Sequence, residues 1–255
     1  MVDIIKERLR QKSRTGGYPR GAVTLPEKYR GLPKINPGAC VACGDKTCLE
    51  RCPTDALTFG GGSDATLSLD LGRCIFCAEC ASACKNKAIS FTNDFRLSAR
   101  NRRDLTISGN ELALVKQLDK KMRALFGRSL KLREVSAGGC NACEADTNVL
   151  STLFFDLGRF GIQFVASPRH ADGLFITGPV TGNMELALKK TYAAIPEPKL
   201  VIAAGACAVS GGLFRDHPET LNGADSILPV DLYIPGCPPH PLTILDGLLR
   251  LLGKL

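Results

Sequence analysis

The chain has no tryptophan, only three histidines, and aromatic residues make up only 6% of its 255 positions. No uninterrupted apolar run approaches the roughly eighteen residues of a membrane-spanning helix, so any membrane association has to come through partners or an amphipathic segment. The N-terminus, Met1-Val-Asp-Ile-Ile-Lys-Glu-Arg, is too charged for the core of a signal peptide, and a reduced, cytoplasmic setting is expected. The sparse aromatics are not interleaved with the basic residues, and no zinc-finger or RNP-like pattern accompanies them. Nucleic acid is therefore not an expected partner. With 44% hydrophobic and 23% charged residues, the composition is otherwise that of an ordinary soluble protein, long enough for two modest domains.

Cysteine is the residue in excess. There are twelve, and they fall into three sets of four with none left over. The first set is Cys40-x2-Cys43-x4-Cys48-x3-Cys52-Pro53 and the second is Cys74-x2-Cys77-x2-Cys80-x3-Cys84. Each resembles the run that binds a four-iron cluster in bacterial ferredoxins. Zinc ribbons separate two CxxC pairs by a longer stretch, whereas here four thiols sit close together and the run is repeated. The third set is dispersed, Cys140-x2-Cys143 with Cys207 and Cys237, and counting alone leaves iron, zinc and unpaired thiols open for it.

Cys52-Pro-Thr-Asp-Ala-Leu-Thr-Phe59 lines up with Cys84-Lys-Asn-Lys-Ala-Ile-Ser-Phe91, so two copies of one small unit are expected. Between them, Gly60–Asp64 reads as a turn and Leu67-Ser-Leu69 as a short strand. In two-cluster ferredoxins the fourth cysteine of each run ligates the other cluster. Carried over, this pattern groups Cys40, Cys43, Cys48 and Cys84 on one cluster and Cys74, Cys77, Cys80 and Cys52 on the other. Two departures stand out: the Cys43-Gly-Asp-Lys-Thr-Cys48 gap is two residues longer than usual, and Lys85 stands where a proline commonly follows.

Further on, Ser108-x-x-Glu111 with Leu114, Val115, Leu118, Met122 and Leu125 predicts a helix closed by Gly127. From residue 129 strands and helices alternate. Strands are expected at 130–135, 163–165, 173–177, 200–203 and 231–234, with helices at 144–157, about 182–194 and about 241–252. The alternation predicts a parallel sheet with helices on its faces, whose ligands gather at the carboxyl ends of the strands. Cys140, Cys143, Cys207 and Cys237 all follow such strands, with Gly138-Gly139, Gly205, Gly211-Gly212 and Gly236 beside them. The fold class is thus an α+β two-cluster ferredoxin domain followed by an α/β, flavodoxin-like parallel-sheet domain. The expected parts are a basic arm (1–39), the ferredoxin-like domain (40–95), a basic linker with a helix (96–128) and the parallel-sheet domain (129–255). The last part has its own strands, helices and four thiols, and is expected to stand without the first 95 residues.

Net charge, +8 overall, is uneven. Residues 1–34 carry nine Lys/Arg against three Asp/Glu, and residues 96–133 carry eleven against three. These stretches read as solvated or subunit-facing surface. Ile4, Ile5 and Leu9 among Lys6, Arg8, Arg10 and Lys12 form a weakly amphipathic start, more suited to docking along a neighbouring subunit than to holding a membrane.

Gly139-Cys-Asn-Ala-Cys-Glu144, Arg159-Phe-Gly-Ile162, Ser167-Pro-Arg-His-Ala-Asp172, Thr177-Gly-Pro-Val-Thr181, Gly205-Ala-Cys-Ala-Val-Ser-Gly-Gly212 and Val230–Pro239 resemble the small subunit of membrane-bound, energy-converting [NiFe] hydrogenases. That subunit is similar to the cluster-bearing subunit at the quinone site of respiratory complex I. Tyr18-Pro19, Arg30-Gly31-Leu-Pro33, the cysteine runs and Leu71–Cys77 resemble the two-cluster ferredoxin-like component of such complexes, especially of formate hydrogenlyase. The resemblance implies a fusion of two electron-relay subunits carrying three [4Fe-4S] clusters, with the cluster of Cys140, Cys143, Cys207 and Cys237 nearest a partner's active site. It implies a subunit of an oxidoreductase complex with no catalytic residue of its own. The implied partners are a [NiFe]-type large subunit, further peripheral and membrane-arm subunits, and a ferredoxin or formate dehydrogenase-type donor, on the cytoplasmic side of a membrane. The Cys140-x2-Cys143 spacing resembles hydrogenase small subunits, whereas the quinone-linked subunit carries adjacent cysteines; a complex I-like, quinone-reducing relay is the alternative.

Smaller expectations attach to single residues. Glu144 reads as a helix-start carboxylate favoured by the dipole, with a proton route as the other reading. His170 and His240 read as surface or supporting groups rather than ligands. Arg169 and Asp172 are expected to form an ion pair.

Overall fold

The structure is a computed structural model, and it describes residues 2–12, 14–41, 43, 45–60, 66–108, 112 and 114–255. Among the described residues ten strands form three sheets: β1 (Pro33–Ile35), β2 (Leu57–Phe59), β3 (Leu67–Asp70), β4 (Ile89–Phe91), β5 (Thr106–Ile107), β6 (Leu130–Ser136), β7 (Ile162–Phe164), β8 (Gly173–Thr177), β9 (Leu200–Ala204) and β10 (Leu232–Ile234). In the N-terminal part β1 pairs antiparallel with β4, and β3 pairs antiparallel with β2 on one side and β5 on the other. The two halves of the internal repeat end in β2 and β4, each with its first residue buried and its second exposed. Of the expected glycine-rich turn, residues 61–64 lie outside the described residues.

The C-terminal part is a five-stranded parallel sheet in the order β7-β6-β8-β9-β10, the doubly wound order 2-1-3-4-5. Its central strands Gly173-Leu-Phe-Ile-Thr177 and Leu200-Val-Ile-Ala-Ala204 are buried along their whole length, as unbroken apolar runs covered on both faces must be. Helices Gly182–Ala194 and Pro241–Leu251 lie close to their expected ranges. The edge strand β10 is also buried, because Ala99 bridges Tyr233 antiparallel with hydrogen bonds of 3.1 and 2.9 Å. A few residues later the same segment adds β5 to the small sheet. The stretch that reads as a linker therefore covers one sheet edge and extends another sheet.

One hydrophobic core runs through both parts. Leu69, Leu71, Leu105 and Ile107 share it with Val135, Ile176, Val201 and Val209. Asp70 receives a two-pronged hydrogen bond from the Arg102 guanidinium at 2.7 and 2.6 Å, and Ser210 Oγ donates to the Gly72 carbonyl at 2.8 Å. A second core, of Leu130, Phe175, Ile202, Leu232 and Leu248, belongs to the parallel-sheet part. The expectation that residues 129–255 stand alone has to be revised accordingly.

Two helices are shorter than the spacing predicts. The linker helix covers only Lys120–Phe126, capped by Asp119, whose Oδ1 accepts from Met122 N at 3.0 Å. Val115 and Leu118 are buried in non-helical backbone held to the last helix by Leu118 N donating to Leu251 O at 2.9 Å; Glu111 of the expected capping box lies outside the described residues. Tertiary burial, satisfied by either backbone, has overridden the helical spacing. The helix expected at 144–157 covers Ala142–Val149. Beyond it Thr152 Oγ1 donates to the Val149 carbonyl at 2.7 Å, and Leu153 and Phe154 stay exposed, so nothing apolar rewards a further turn.

The arm is an exposed helix (Val2–Gln11) followed by a docked strip. Gly16 N donates to Phe154 O at 2.8 Å, Arg159 Nη2 donates to the Gly16 and Tyr18 carbonyls at 2.9 and 2.8 Å, and Tyr18 Oη donates to the buried Asp246 at 2.6 Å. Its second half is therefore tied to the parallel-sheet part.

Candidate iron–sulfur sites

In the N-terminal part the thiols sort into two cavities, and the fourth cysteine of each run has changed places. Cys40, Cys43, Cys48 and Cys84 line one, walled by Phe59, Leu67 and Ile89. Cys52, Cys74, Cys77 and Cys80 line the other, walled by Leu57, Leu69 and Phe91. The repeat recurs in detail: Ala56 N donates to Cys52 Sγ and Ala88 N donates to Cys84 Sγ, both at 3.2 Å. A third such contact runs from Phe76 N to Cys74 Sγ at 3.4 Å. Backbone N–H groups aimed at sulfur stabilise thiolate and would do the same for a cluster-bound sulfur.

Burial pushes the Cys74 and Cys80 thiols up to about 12, with the other thiols of their cavity adding to it. Cys40 and Cys48 are raised by burial and then by Cys84, their neighbour from the other run. Thiols so placed keep their protons until a metal displaces them.

The two departures from the ferredoxin pattern meet in space. Lys85 Nζ lies 2.6 Å from Asp45 Oδ2, so the longer gap and the lysine in place of proline are joined by an ion pair. Hydrogen bonds from Lys85 and Thr47 hold the Asp45 carboxyl well below the usual carboxylate range.

The dispersed set assembles at the carboxyl edge of the parallel sheet. Cys140 and Cys143 follow β6, Cys207 lies in the short helix Ala206–Ser210 after β9, and Cys237 follows β10. Burial raises the Cys143 thiol, with Cys207, Cys237 and Cys140 all contributing, which places the four together; burial and two of these neighbours push Cys207 up to about 11. Cys140 and Cys237 are exposed while Cys143 and Cys207 are half-buried. Two glycines make room for sulfur: a Cβ on Gly205, whose φ is +92°, would stand 2.5 Å from Cys143 Sγ, and one on Gly212 would stand 2.9 Å from Cys207 Sγ. Among the described residues, no three Cys, His, Asp or Glu side chains converge closely enough to hold a single metal ion. The all-sulfur donor sets, the N–H contacts to sulfur and the glycine clearances fit clusters.

Glu144 is buried in the first turn of helix Ala142–Val149 and accepts from Thr177 Oγ1 at 2.6 Å. Burial opposes its charge, but hydrogen bonds from Ser136 and Thr177 outweigh it and hold the carboxyl below its ordinary value. Glu134 on β6 is a residue that sequence reasoning misses. Its Oε1 is buried without a hydrogen-bond partner, and burial, with Glu144 nearby, pushes its carboxyl up to about 7. Its only sequence signal is an acidic residue within a strand that lines the core. His170 is exposed, and His240 caps the last helix, its Nδ1 accepting from Leu242 N at 3.1 Å. Arg169 and Asp172 form no ion pair; the Asp172 carboxylate accepts from Lys131 N at 2.7 Å instead, because that unpaired strand N–H lies within its reach.

An all-thiol site at the carboxyl edge of a 2-1-3-4-5 sheet, joined to a unit of repeated cysteine runs, defines an iron–sulfur subunit of an oxidoreductase complex. Residues 140–251 match the family described as NADH ubiquinone oxidoreductase, 20 Kd subunit, and residues 67–90 match the 4Fe-4S binding domain. The chain belongs to the family of cluster-bearing subunits that membrane-bound hydrogenases share with NADH-quinone oxidoreductases. It is 43% identical over 143 residues to the probable membrane-bound hydrogenase subunit mbhJ of Pyrococcus furiosus, a match covering 55% of this chain and 86% of that one. It is 42% identical over 151 residues to formate hydrogenlyase subunit 7 of Escherichia coli, covering 59% of this chain and 58% of that subunit. An NADH-quinone oxidoreductase subunit of Citrifermentans bemidjiense is 49% identical over 117 residues, covering 46% of this chain and 68% of that one.

Proposed function

We propose that the chain is an electron-relay subunit holding three [4Fe-4S] clusters between a low-potential donor or acceptor and the [NiFe] site of a partner large subunit in a membrane-bound, energy-converting hydrogenase. The clusters supply one-electron storage; the chain itself binds, spaces and insulates them. The observation that carries this reading is the sorting of twelve cysteines into three groups of four, two walled within the chain and one open at a sheet edge. Cys40, Cys43, Cys48 and Cys84 hold the first cluster, Cys52, Cys74, Cys77 and Cys80 the second, and Cys140, Cys143, Cys207 and Cys237 the third. The apolar walls formed by Phe59, Leu67, Ile89, Leu57, Leu69 and Phe91 keep water from the first two.

The parts keep the boundaries 1–39, 40–95, 96–128 and 129–255, with a two-cluster ferredoxin-like fold in the second. No helix among the described residues is long and apolar enough to cross a membrane. Attachment is peripheral, on the cytoplasmic side, through membrane-arm subunits, and a ferredoxin or formate dehydrogenase-type protein is the donor. The fit to the 20 Kd subunit family favours a second reading, a quinone-reducing relay. The Cys140-x2-Cys143 spacing supports the hydrogenase reading over it.

The anaerobically purified chain should contain about twelve iron and twelve acid-labile sulfide, bleaching on reduction. About two-thirds of that iron would remove the third cluster, and stoichiometric redox-silent zinc would sink the relay altogether. Nickel, hydrogen turnover and quinone reduction measured on one preparation of the complex separate the two readings.

A further inference from the structure

The loop between Cys74 and Cys77 and the loop that carries Cys237 meet at one cleft. It has a volume of about 290 Å³, and its walls include Phe76 from the loop between Cys74 and Cys77, and Cys237 and His240 from the loop after β10. Cys237 is the one cysteine in its lining, and Ile75 and Phe76, which lie between Cys74 and Cys77, bring the second site's loop to it.

A strip of the N-terminal arm, residues 28–30, closes the cleft on one side. Arg30 Nη1 donates to the Cys77 carbonyl at 2.6 Å and to the Phe76 carbonyl at 3.2 Å. Phe76 holds φ +56°, a left-handed conformation that a bulky side chain takes only when its surroundings impose it. Its ring meets Phe91 edge-on at 6.3 Å, so the loop is pinned by packing on one side and by Arg30 on the other. The adjacent Tyr29 meets the His240 ring edge-on at 5.2 Å, three residues beyond Cys237. Consecutive residues of the arm thus touch both loops.

We propose that residues 28–30 form the junction between the second and third cluster sites, and that Arg30 is a positioning residue that fixes the second cluster's loop and raises that cluster's affinity for an electron. This rests on reading the thiol sets as clusters. In the step concerned one electron leaves the second cluster and one enters the third, with no bond or proton changing hands. The Arg30 guanidinium, a cation, sits one hydrogen bond from the backbone of a ligand-bearing residue. Reduction adds a negative charge to the cluster, and a nearby fixed cation favours the reduced form. Because Arg30 is exposed, solvent screens the effect and keeps it modest.

The test is an electron paramagnetic resonance redox titration of the full-length chain, anaerobically loaded, comparing wild type, Arg30→Gln and Arg30→Lys. Arg30→Gln should make the second cluster harder to reduce, moving its electron-sharing equilibrium with the first about threefold to tenfold toward the first. Tenfold corresponds to about 59 mV for a one-electron couple. The other two clusters should titrate as in wild type, and Arg30→Lys should restore most of the shift. A second cluster unmoved by Arg30→Gln, or all three moving together, would overturn the assignment of Arg30 while leaving the three-cluster relay intact. A wild-type chain without reducible clusters would sink both.

Discussion

The thiols of the N-terminal part and those of the sheet edge are the same in number and chemistry per site and differ in their surroundings. Cys40, Cys48, Cys74 and Cys80 are each no more than 8% exposed, inside walls the chain builds itself, whereas Cys140 and Cys237 stand open. An enclosed site has its electrostatics set by this chain: apolar side chains, N–H contacts to sulfur, and the Asp45–Lys85 pair. An open site has half its surroundings still to be supplied. On the proposed reading, centres walled within the chain would store and pass charge internally, and a centre open at an edge would exchange it with another surface. This contrast fits a relay with an interior end and a delivering end, and the experiments below set out to break it.

Deletion of residues 1–95 should have the largest effect. If the two parts were independent, residues 96–255 would fold and keep the open site. The shared core makes the opposite outcome the expected one, because the deletion removes Leu69 and Leu71 from the core they share with Val135, Ile176 and Val209 and leaves Arg102 without Asp70. At about 1.5–3 kcal/mol per apolar side chain uncovered, the loss is comparable with the roughly 5–15 kcal/mol that holds a typical domain folded. Limited proteolysis and a thermal melt decide it; a cooperative melt near that of the full chain would show that the parts are separable. One step smaller is the loss of a single site. Cys84→Ser should disturb the cluster of Cys40, Cys43 and Cys48 and spare that of Cys74, Cys77 and Cys80, whereas Cys237→Ser should disturb only the open site. Site-resolved spectroscopy with an unchanged first-run cluster in Cys84→Ser would refute the exchange of fourth ligands.

The grouping of Cys84 with the first run and Cys52 with the second was expected from the resemblance to two-cluster ferredoxins, since spacing alone would have kept each run together. The edge position of the dispersed set was legible because each of its cysteines follows a strand and a glycine turn. Strands β8 and β9 were legible because only a strand covered on both faces needs so unbroken an apolar run. What escaped is what depends on distant partners. Ala99 covering the edge of β10 is a single residue with no pattern around it. The short helix at 120–126 was overpredicted because Val115 and Leu118 fit a helical stripe and a buried extended strip equally well. Arg30 belongs to a recognisable Arg-Gly-Leu-Pro stretch, yet nothing in that stretch tells which carbonyls it will meet.

The arm is tied to the parallel-sheet part through Tyr18, whose hydroxyl donates to the buried Asp246. Tyr18→Phe removes one donor from Asp246, which keeps its contacts with Arg250 at 3.1 and 2.9 Å. The expected cost is about 1 kcal/mol, a fall of roughly 2–4 °C in Tm for a chain of this size. Asp246→Ala should cost more, about 2 kcal/mol, because it leaves the half-buried Tyr18 hydroxyl and Arg250 guanidinium without their shared partner. Equal melts for wild type and both variants would mean that the arm is not held through this contact.

The smallest effect sits beside the open site. Burial raises the Glu134 carboxyl to about 7 in the folded chain, whereas in the unfolded chain it titrates near 4.5. Between those values the folded state retains a proton that the unfolded state has lost, so stability falls as pH rises through that window and is level above it. The full difference would correspond to about 3 kcal/mol; with the side chain only partly buried and screened by solvent, about 1 kcal/mol is the expected loss. Glu134→Gln keeps the shape, cannot ionise, and should flatten the dependence of denaturation midpoint on pH between about 5 and 7. A wild-type midpoint that rises across the window, or a slope unchanged in Glu134→Gln, would show that this carboxyl is ionised in the folded chain and that the open site's edge is wetter than its burial implies.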